Sequence, residues 1–174
     1  SKPYCYHIDQ FESLRPVFMQ VMKYARAMGL DMIQGDHEDA PGQLELNWMY
    51  DDVLRNADRL STYRQICAQV AREFNLIACF MTKPFMGVSA SGCHTNMSLW
   101  TGGKDKLNKL GHKSIPAMDE VFTYVEGGKN TFMPDTKDVQ LPGKVGLKAI
   151  GGVMKHLGAL TAIGSSTVNS YRRL

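Results

Sequence analysis

Apolar and polar side chains alternate from Gln43 to Tyr50, and this pattern predicts a half-buried β-strand. The polar face carries Gln43, Glu45 and Asn47, and the apolar face carries Leu44, Leu46, Trp48 and Tyr50. A strand holds a carboxylate such as Glu45 more rigidly than a loop does, as a metal site or a catalytic site requires. An ordinary amphipathic edge strand explains the segment equally well.

Three segments have apolar residues at helical spacing. The first is Ser13 to Met28, with Ser13 as its cap and Pro16 in its first turn. The second, Asp51 to Phe74, has the longest apolar stripe, which is typical of a helix that packs on a core. The third, Gly143 to Ile163, is loosened by internal glycines.

Further strands are predicted at Asp31 to Gln34, which leads into a turn at Gly35, and at Leu76 to Thr82, which Pro84 ends. Gly92 to Trp100 alternates again and predicts another strand.

Residues 101–142 are rich in Gly, Lys and Pro and have weak periodicity. We therefore predict an irregular segment with a short helix around Met118 to Tyr124. Ser165 to Ser170 is polar and is predicted to form a turn.

Size and composition narrow the classes of function. With 174 residues the chain can bury one good core, so we predict one domain or a large part of one. The net charge is only +3 and the basic residues are dispersed, which indicates no nucleic-acid partner and no membrane surface. No apolar run reaches the length of a membrane span. Cys5, Cys67, Cys79 and Cys93 lack the spacing of a disulfide framework, so we expect reduced thiols in a cytoplasmic protein.

Two predicted strands each carry a metal-competent side chain on a polar face: Glu45 on one and His94 on the other. Glu38 joins them through a turn. Two carboxylates and one imidazole suit Mg²⁺ or Mn²⁺ when phosphate oxygens and water complete the shell. Zinc is less favoured, because no second His or Cys has ligand spacing. His94 taken alone is more typical of a structural histidine, and Asp36 and His37 are expected to shape the turn.

Three weaker signals accompany this set. Lys83 lies just before Pro84 and can meet a phosphate or carboxylate, although a solvated lysine is the commoner case. The small residues from Ser89 to Gly92 form a loop whose backbone N–H groups can approach an anionic ligand. Arg173 can bind a carboxylate or phosphate through two hydrogen bonds, although arginines near a terminus are more often solvated.

Three motifs taken together resemble the catalytic domain of the glutamine synthetase family. They are GDHEDAPGQLELN from Gly35, MTKPFMGVSASGCHTNMSLW from Met81 and GALTAIGSSTVNSYRRL from Gly158. The resemblance covers nearly the whole chain and implies an α+β fold, with an antiparallel sheet backed by helices and the site on the sheet's open face. It implies an ATP-dependent ligase that forms glutamine from glutamate and ammonia through γ-glutamyl phosphate, with Mg²⁺ or Mn²⁺ as cofactor and ATP as co-substrate.

The resemblance also implies roles for individual positions. Glu38 and Glu45 match the pair that binds the metal nearer the glutamate and ammonium sites, and His94 matches a ligand of the second metal. Arg173 matches a catalytic arginine that contacts the glutamate carboxylate or the γ-phosphoryl group.

Two further segments match positions that contact the substrates. Asn96, Met97 and Ser98 match the segment that contacts ATP. Ser89 and Ala90 match the loop that contacts glutamate.

Departures from the family pattern point to a divergent branch. Asn96 stands where many members have a histidine, Ser89-Ala90 stands where many have Asn-Gly, and residues 101–142 form a longer connection than usual. These features resemble a branch that includes γ-glutamylmethylamide synthetases, which use an alkylamine in place of ammonia. Asn96 can donate a hydrogen bond to a phosphate but cannot carry charge, so nucleotide contacts are expected to differ. The alternatives are therefore a γ-glutamyl amine ligase and a non-catalytic structural member of the fold.

By this resemblance, residues 1–174 form part of the C-terminal catalytic domain, without the N-terminal β domain and without the segments that follow Leu174. Family members build their sites between neighbouring subunits of stacked rings. We therefore expect a homo-oligomer, a dodecamer in the family's usual form, and no catalytic activity from these residues alone.

Overall fold

The computed structural model describes residues 5–101, 104–105, 125–126, 129–134 and 142–173. The chain divides into two units. The first runs to Gly92 and also includes Arg173, and the second comprises Cys93–Arg172.

The first unit contains helix α1 (Ile8–Ala27), strands β1 (Met32–His37) and β2 (Leu44–Trp48), and helix α2 (Val53–Glu73). The two strands pair antiparallel, and α1 packs against both β1 and α2. This is the antiparallel sheet backed by helices that the sequence predicts.

The core of the first unit lies where α1, α2 and one face of the sheet meet. Leu44, Leu46 and Trp48 pack against it, which confirms the predicted apolar face at these positions, whereas Tyr50 lies beyond the strand and is 65% exposed. The Trp48 ring lies 5.3 Å from the Tyr63 ring, and its indole N–H donates to Asn56 Oδ1 at 2.6 Å. The buried members are Phe18, Val21, Met22, Ala25, Leu30, Met32, Ile66 and Val70.

Helix α1 begins five residues earlier than predicted, at Ile8. Ser13 therefore lies inside the helix, where its hydroxyl donates to the Gln10 carbonyl at 2.8 Å, and the prediction that it caps the helix is wrong. Pro16 also lies in the interior. The extension is favoured because the Phe11 ring packs edge-on against Phe18, with the centroids 5.0 Å apart.

Helix α2 begins within two residues of the predicted start. Asp52 caps it by accepting a hydrogen bond from the Arg55 N–H at 2.7 Å. Arg59, which is buried, reaches Asp51 at 2.9 Å and donates to the Gly29 carbonyl at 3.2 Å. These bonds connect the start of α2 to the end of β2 and to the loop after α1.

Strand β1 is longer than predicted and contains Gly35, which therefore does not form the turn. Gly35 pairs with Leu46, and a Cβ on it would overlap the Phe18 ring and lie 2.7 Å from the Glu45 carbonyl. The glycine allows the sheet to approach α1 closely. The turn lies between Glu38 and Gln43 instead.

The strand predicted at Leu76 to Thr82 is wrong, because these residues are irregular in the structure. Asn75 has a positive φ of 55°, and the Leu76 N–H donates to the Ala71 carbonyl at 2.8 Å, so the chain turns sharply at the end of α2. Ile77 is 93% exposed, so the apolar run does not enter the core.

The described part of the second unit contains four two-residue strands: β3 (Trp100–Thr101), β4 (Lys104–Asp105), β5 (Val125–Glu126) and β6 (Lys129–Asn130). β3 pairs antiparallel with β6, and β4 pairs antiparallel with β5. The prediction of a strand over Gly92 to Trp100 is therefore wrong except at its last residue.

Three helices follow among the residues that the structure describes: α3 (Lys144–Lys155), α4 (Leu157–Gly164) and α5 (Val168–Tyr171). The single helix predicted over Gly143 to Ile163 is interrupted at His156. The turn predicted at Ser165 to Ser170 leads into α5. The helix predicted at Met118 to Tyr124 lies outside the described residues. None of the described helices is both long enough and apolar enough to cross a membrane.

Candidate active site

The open face of the β1–β2 sheet carries a row of polar side chains. Asp36 lies opposite Glu45 and Gln34 lies opposite Asn47, so the four side chains share one face. Asn47 donates to Glu45 Oε1 at 3.2 Å. Glu45 is exposed, as expected for a carboxylate on the face that points away from the core.

Glu38 is the first residue after β1 and lies close to Glu45. Its backbone N–H donates to the Gln43 carbonyl at 2.9 Å, which closes the turn between the strands. Partial burial raises the pKa of the Glu38 carboxyl, and the nearby Glu45 carboxylate raises it further. The same two carboxylates and Asp36 contribute to a raised pKa of the Tyr6 hydroxyl, with Glu38 as the largest cause.

A pair of carboxylates in this arrangement fits a divalent cation. Glu38 and Glu45 lie close enough for the Glu45 carboxylate to raise the pKa of Glu38, and two carboxylates that repel each other in this way favour either a shared proton or a bound cation. Oxygen donors of this kind are the ligands that Mg²⁺ and Mn²⁺ prefer. Among the described residues, no group of three or more His, Cys, Asp or Glu side chains is close enough to hold a metal ion.

His37 and Asp36 do not belong to the turn, as the sequence had suggested, but to the last residues of β1. His37 is buried, 3% exposed, and its Nδ1 atom has no hydrogen-bond partner among the described residues. Its carbonyl accepts from the Tyr6 N–H at 2.8 Å. Asp36 lies across from Glu45 and adds a third carboxylate to the open face.

The small-residue loop lies against the turn that carries Glu38. The Ser89 hydroxyl donates to the Asp39 carboxylate. The Gln43 side chain donates to the Ala90 carbonyl at 3.2 Å and to Ser91 Oγ at 3.3 Å. The structure thus brings the predicted glutamate-contacting residues next to the predicted metal-binding carboxylates, although they are about 50 residues apart in sequence.

Lys83 and Arg173 both bind backbone carbonyls of this loop. The Lys83 ammonium donates to the Val88 carbonyl. Arg173 Nη1 donates to the Ser91 carbonyl at 3.3 Å, and the side chain is otherwise exposed. Arg173 therefore lies at the edge of the loop that contains Ser89 and Ala90, which leaves much of its guanidinium open to a ligand.

The remaining predicted site residues belong to the second unit. His94, Asn96, Met97 and Ser98 are exposed and lie in the irregular segment before β3. Ser98 Oγ accepts a hydrogen bond from the Trp100 indole at 2.9 Å. Their alternation along the chain had predicted a strand with His94 on its polar face. Residues 92–100 are exposed at both the predicted polar and the predicted apolar positions, so the alternation does not mark a buried face.

Sequence reasoning missed two residues that connect the parts of this site. Asp39 binds Ser89, and Gln43 bridges from its own turn to Ala90 and Ser91. The alternation did place Gln43 on the same face as Glu45. It could not reveal the partner, because the partner lies in a distant segment.

Comparison with known proteins supports the resemblance noted in the sequence. A family model described as the glutamine synthetase catalytic domain matches residues 1–122 and 121–174. Glutamine synthetase from Rhizobium leguminosarum bv. phaseoli is 35% identical over 170 residues, which cover 98% of this chain and 34% of that protein. Glutamate–methylamine ligase from Methyloversatilis universalis is 33% identical over 174 residues, which cover all of this chain and 34% of that protein.

Solved structures give the same result. Apo GmaS matches with a TM-score of 0.78 and 31% identity, over 99% of this chain and 35% of that one. A GmaS/ADP complex matches with the same TM-score and 32% identity, over 100% of this chain and 34% of that one. The α+β fold class is thereby confirmed. The chain spans about a third of the length of the relatives that it matches.

Proposed function

The chain belongs to the glutamine synthetase catalytic-domain family, and we propose that the protein containing it is an ATP-dependent ligase that forms glutamine from glutamate and ammonia. Its named relatives are glutamate ligases, and the GmaS neighbour binds ADP. In the proposed reaction the glutamate side-chain carboxylate attacks the γ-phosphorus of ATP, and ADP leaves. Ammonia then attacks the acyl carbon of γ-glutamyl phosphate, and phosphate leaves.

The observation that carries this proposal is the position of the Glu38–Glu45 pair beside the Ser89–Ser91 loop. Carboxylates for a cation and a small-residue loop for an anionic substrate meet at the turn between β1 and β2. A reaction between two anions, glutamate and ATP, needs both features, because the negative charges must be neutralised and the reacting atoms aligned.

The roles of individual residues follow from this arrangement. Glu38 and Glu45 hold a divalent cation, which when bound neutralises phosphate charge and orients the substrate carboxylate. Ser89 and Ala90 bind glutamate through the loop, and Arg173 offers its guanidinium to the glutamate carboxylate or the γ-phosphoryl group.

The second unit supplies the nucleotide contacts in this proposal. His94 provides a ligand for a second Mg²⁺ or Mn²⁺, and Asn96, Met97 and Ser98 contact ATP. All four side chains are exposed, as this role requires.

Residues 1–174 are proposed to form part of the C-terminal catalytic domain of a longer subunit. The chain spans about a third of its relatives' length, so the complete site requires segments that these residues do not include. Self-association in stacked rings, with dodecamers as the family form, belongs to the same proposal. The four cysteines are all free, which fits a reducing compartment such as the cytoplasm.

A second candidate is a γ-glutamylmethylamide synthetase. The specific observation in its favour is that a glutamate–methylamine ligase aligns over the whole chain and that GmaS structures match at a TM-score of 0.78. Both candidates form γ-glutamyl phosphate, so they differ only in the amine that displaces phosphate.

One experiment distinguishes the two candidate activities. The full-length protein is supplied with ATP, glutamate, Mg²⁺ and either ammonia or methylamine, and kcat/KM is measured for each amine. We expect ammonia to be preferred. A clear preference for methylamine would assign the protein to the second candidate instead.

A further experiment tests the third candidate, a structural member without turnover. Mn²⁺ is titrated calorimetrically into the full-length protein and into its Glu45→Gln variant, with Glu12→Gln as matched control, since Glu12 is an exposed carboxylate on α1. We expect Glu45→Gln to weaken binding by at least tenfold and the control to leave it unchanged. No binding, or equal binding by all three proteins, would favour the structural member.

A further inference from the structure

We propose that Gln43 is a positioning residue that fixes the glutamate-contacting loop, Ser89–Ser91, against the turn that carries Glu38. The inference rests on the proposed function, because it assigns that loop to the substrate. Gln43 is assigned no contact with the substrate itself and acts through the loop that it positions.

The side-chain amide of Gln43 is bonded at both ends. Its oxygen accepts from the Ala40 N–H at 3.1 Å, within the turn. Its nitrogen donates to the Ala90 carbonyl at 3.2 Å and to Ser91 Oγ at 3.3 Å. An amide is needed here because it combines an acceptor with two donors, whereas a carboxylate has no donor and an apolar chain has neither.

The backbone of Gln43 also makes hydrogen bonds within the turn that carries Glu38. Its carbonyl accepts from the Glu38 N–H at 2.9 Å, and its own N–H donates to the Ala40 carbonyl at 2.9 Å. The residue therefore closes the turn with its backbone and holds the loop with its side chain. It also lies two positions before Glu45, so both carboxylates are directly coupled to it.

The loop itself has little else to hold it. It is irregular, its side chains are small, and Ser89 is exposed. The bonds within the first unit that anchor it are polar: Ser89 to Asp39, the Ser91 N–H to the Thr82 carbonyl at 2.8 Å, and Arg173 to the Ser91 carbonyl. These hydrogen bonds hold the loop against the first unit, and Gln43 supplies two more.

The consequence for the reaction is positional. The loop places glutamate, and the Glu38–Glu45 pair places the cation and the phosphate charge. A displacement of about 1 Å between such groups is enough to lower the rate of a bound reaction by up to 100-fold. We therefore assign Gln43 the task of keeping these two parts in register.

The test compares Gln43→Met and Gln43→Glu in the full-length protein. Methionine keeps the approximate shape without polar atoms, and glutamate keeps the acceptor for Ala40 without the donors. Gln65→Met is the matched control, since Gln65 is an exposed glutamine on helix α2, outside the candidate site.

Two measurements are made on each variant. Steady-state kinetics should show the KM for glutamate raised about tenfold in both Gln43 variants, the size expected when two neutral hydrogen bonds are lost, with the KM for ATP nearly unchanged. Hydrogen exchange of peptides spanning residues 83–93 should be faster in both variants. Gln65→Met should match the wild type in both measurements, and thermal melting should show that all variants are folded.

The outcomes separate this inference from the function on which it rests. An unchanged KM for glutamate and unchanged exchange in Gln43→Met, together with loss of activity in Glu45→Gln, would overturn the role of Gln43 and leave the function intact. An equal rise in the KM for ATP and for glutamate would also overturn it, because a general disruption is not positioning. Full activity in Glu45→Gln would overturn the proposed function, and faster loop exchange in Gln43→Met would then support only the mechanical connection.

Discussion

Replacing Arg59 with methionine should open helix α2 far more often, because this arginine binds three parts of the first unit together. Its side chain is 9% exposed. Nη1 lies 2.9 Å from Asp51 Oδ2, and Nη2 donates to the Gly29 carbonyl at 3.2 Å. Methionine retains most of the buried aliphatic volume, so the variant isolates the polar contacts.

The expected loss of stability depends on which contacts Asp51 and the Gly29 carbonyl retain in the Arg59→Met variant. Asp51 still contacts Arg55 at 3.3 Å and still accepts from the Asp52 N–H at 2.9 Å, so its charge is not left uncompensated. The loss is then one charge-assisted bond, about 2 kcal/mol, and one unpaired carbonyl, about 1 kcal/mol. We expect a total of about 3 kcal/mol, at the lower end of the range for breaking a buried ion pair.

Labelling of Cys67 provides the assay. Cys67 is half-buried on α2, whereas Cys5, Cys79 and Cys93 are exposed. In a full-length background whose other cysteines are serine, the rate of Cys67 labelling under native conditions reports the free energy of opening α2. A loss of about 3 kcal/mol corresponds to roughly 100-fold faster labelling.

Arg64→Met is the matched control on the same helix. Arg64 is exposed and its guanidinium lies 4.9 Å from the Phe80 ring centroid, a contact worth about 0.5–1 kcal/mol. If Arg59→Met accelerates labelling no more than Arg64→Met does, the buried network does not hold α2 in place and the reasoning fails.

Three further predictions concern stability and use urea unfolding of the full-length protein followed by Trp48 fluorescence. Gly35→Ala should destabilise the first unit by more than about 2 kcal/mol, because the new Cβ would overlap Phe18 and lie 2.7 Å from the Glu45 carbonyl. Gly151→Ala, at a helical position with open space around it, should be neutral or stabilising, and equal losses in both would contradict the packing argument. Asp52→Ala should lower the free energy of unfolding by about 1 kcal/mol, because the 2.7 Å cap bond from the Arg55 N–H is lost. Asp58→Ala, at an exposed position inside the same helix, should change it by less than about 0.5 kcal/mol. Similar values for the two variants would contradict the capping role of Asp52. Burial raises the pKa of the Cys67 thiol by more than its hydrogen bond with Tyr63 lowers it. As pH rises, the thiol therefore loses its proton in the unfolded chain before it does so in the folded protein. Stability should therefore be highest below about pH 8.5 and fall above it, more steeply in the wild type than in Cys67→Ala; parallel slopes would show that the thiol contributes nothing.

Features that depend on neighbours along the chain were predictable from the sequence. The alternation from Gln43 to Tyr50 identified the strand and its buried face, and the apolar stripe from Asp51 to Phe74 identified α2. Three motifs identified the family. The roles of Glu38, Glu45, His94 and Arg173 stay predictions, and the metal titration described above tests that of Glu45.

Features that depend on distant partners were predicted badly. Leu76 to Thr82 has the composition of a strand, but a strand needs a neighbour, and after the turn at Asn75 these residues pair with neither β1 nor β2. The segment from Gly92 to Trp100 alternates without a buried face. Helix α1 continues to Ile8 because Phe11 has Phe18 to pack against, which its local pattern did not reveal.

The sequence by itself determined the family, the two long helices, and the strand whose open face carries Glu45. Local periodicity and motif order contain that information, because each depends on residues that are close together in the chain. Only the tertiary structure decided that Glu38 lies close enough to Glu45 to raise its pKa, and that the loop of Ser89 and Ala90 rests on the same turn. The bonds from Gln43 to Ala90 and Ser91 span 47 and 48 residues, so they form only when the chain has folded. A local sequence pattern therefore cannot predict them.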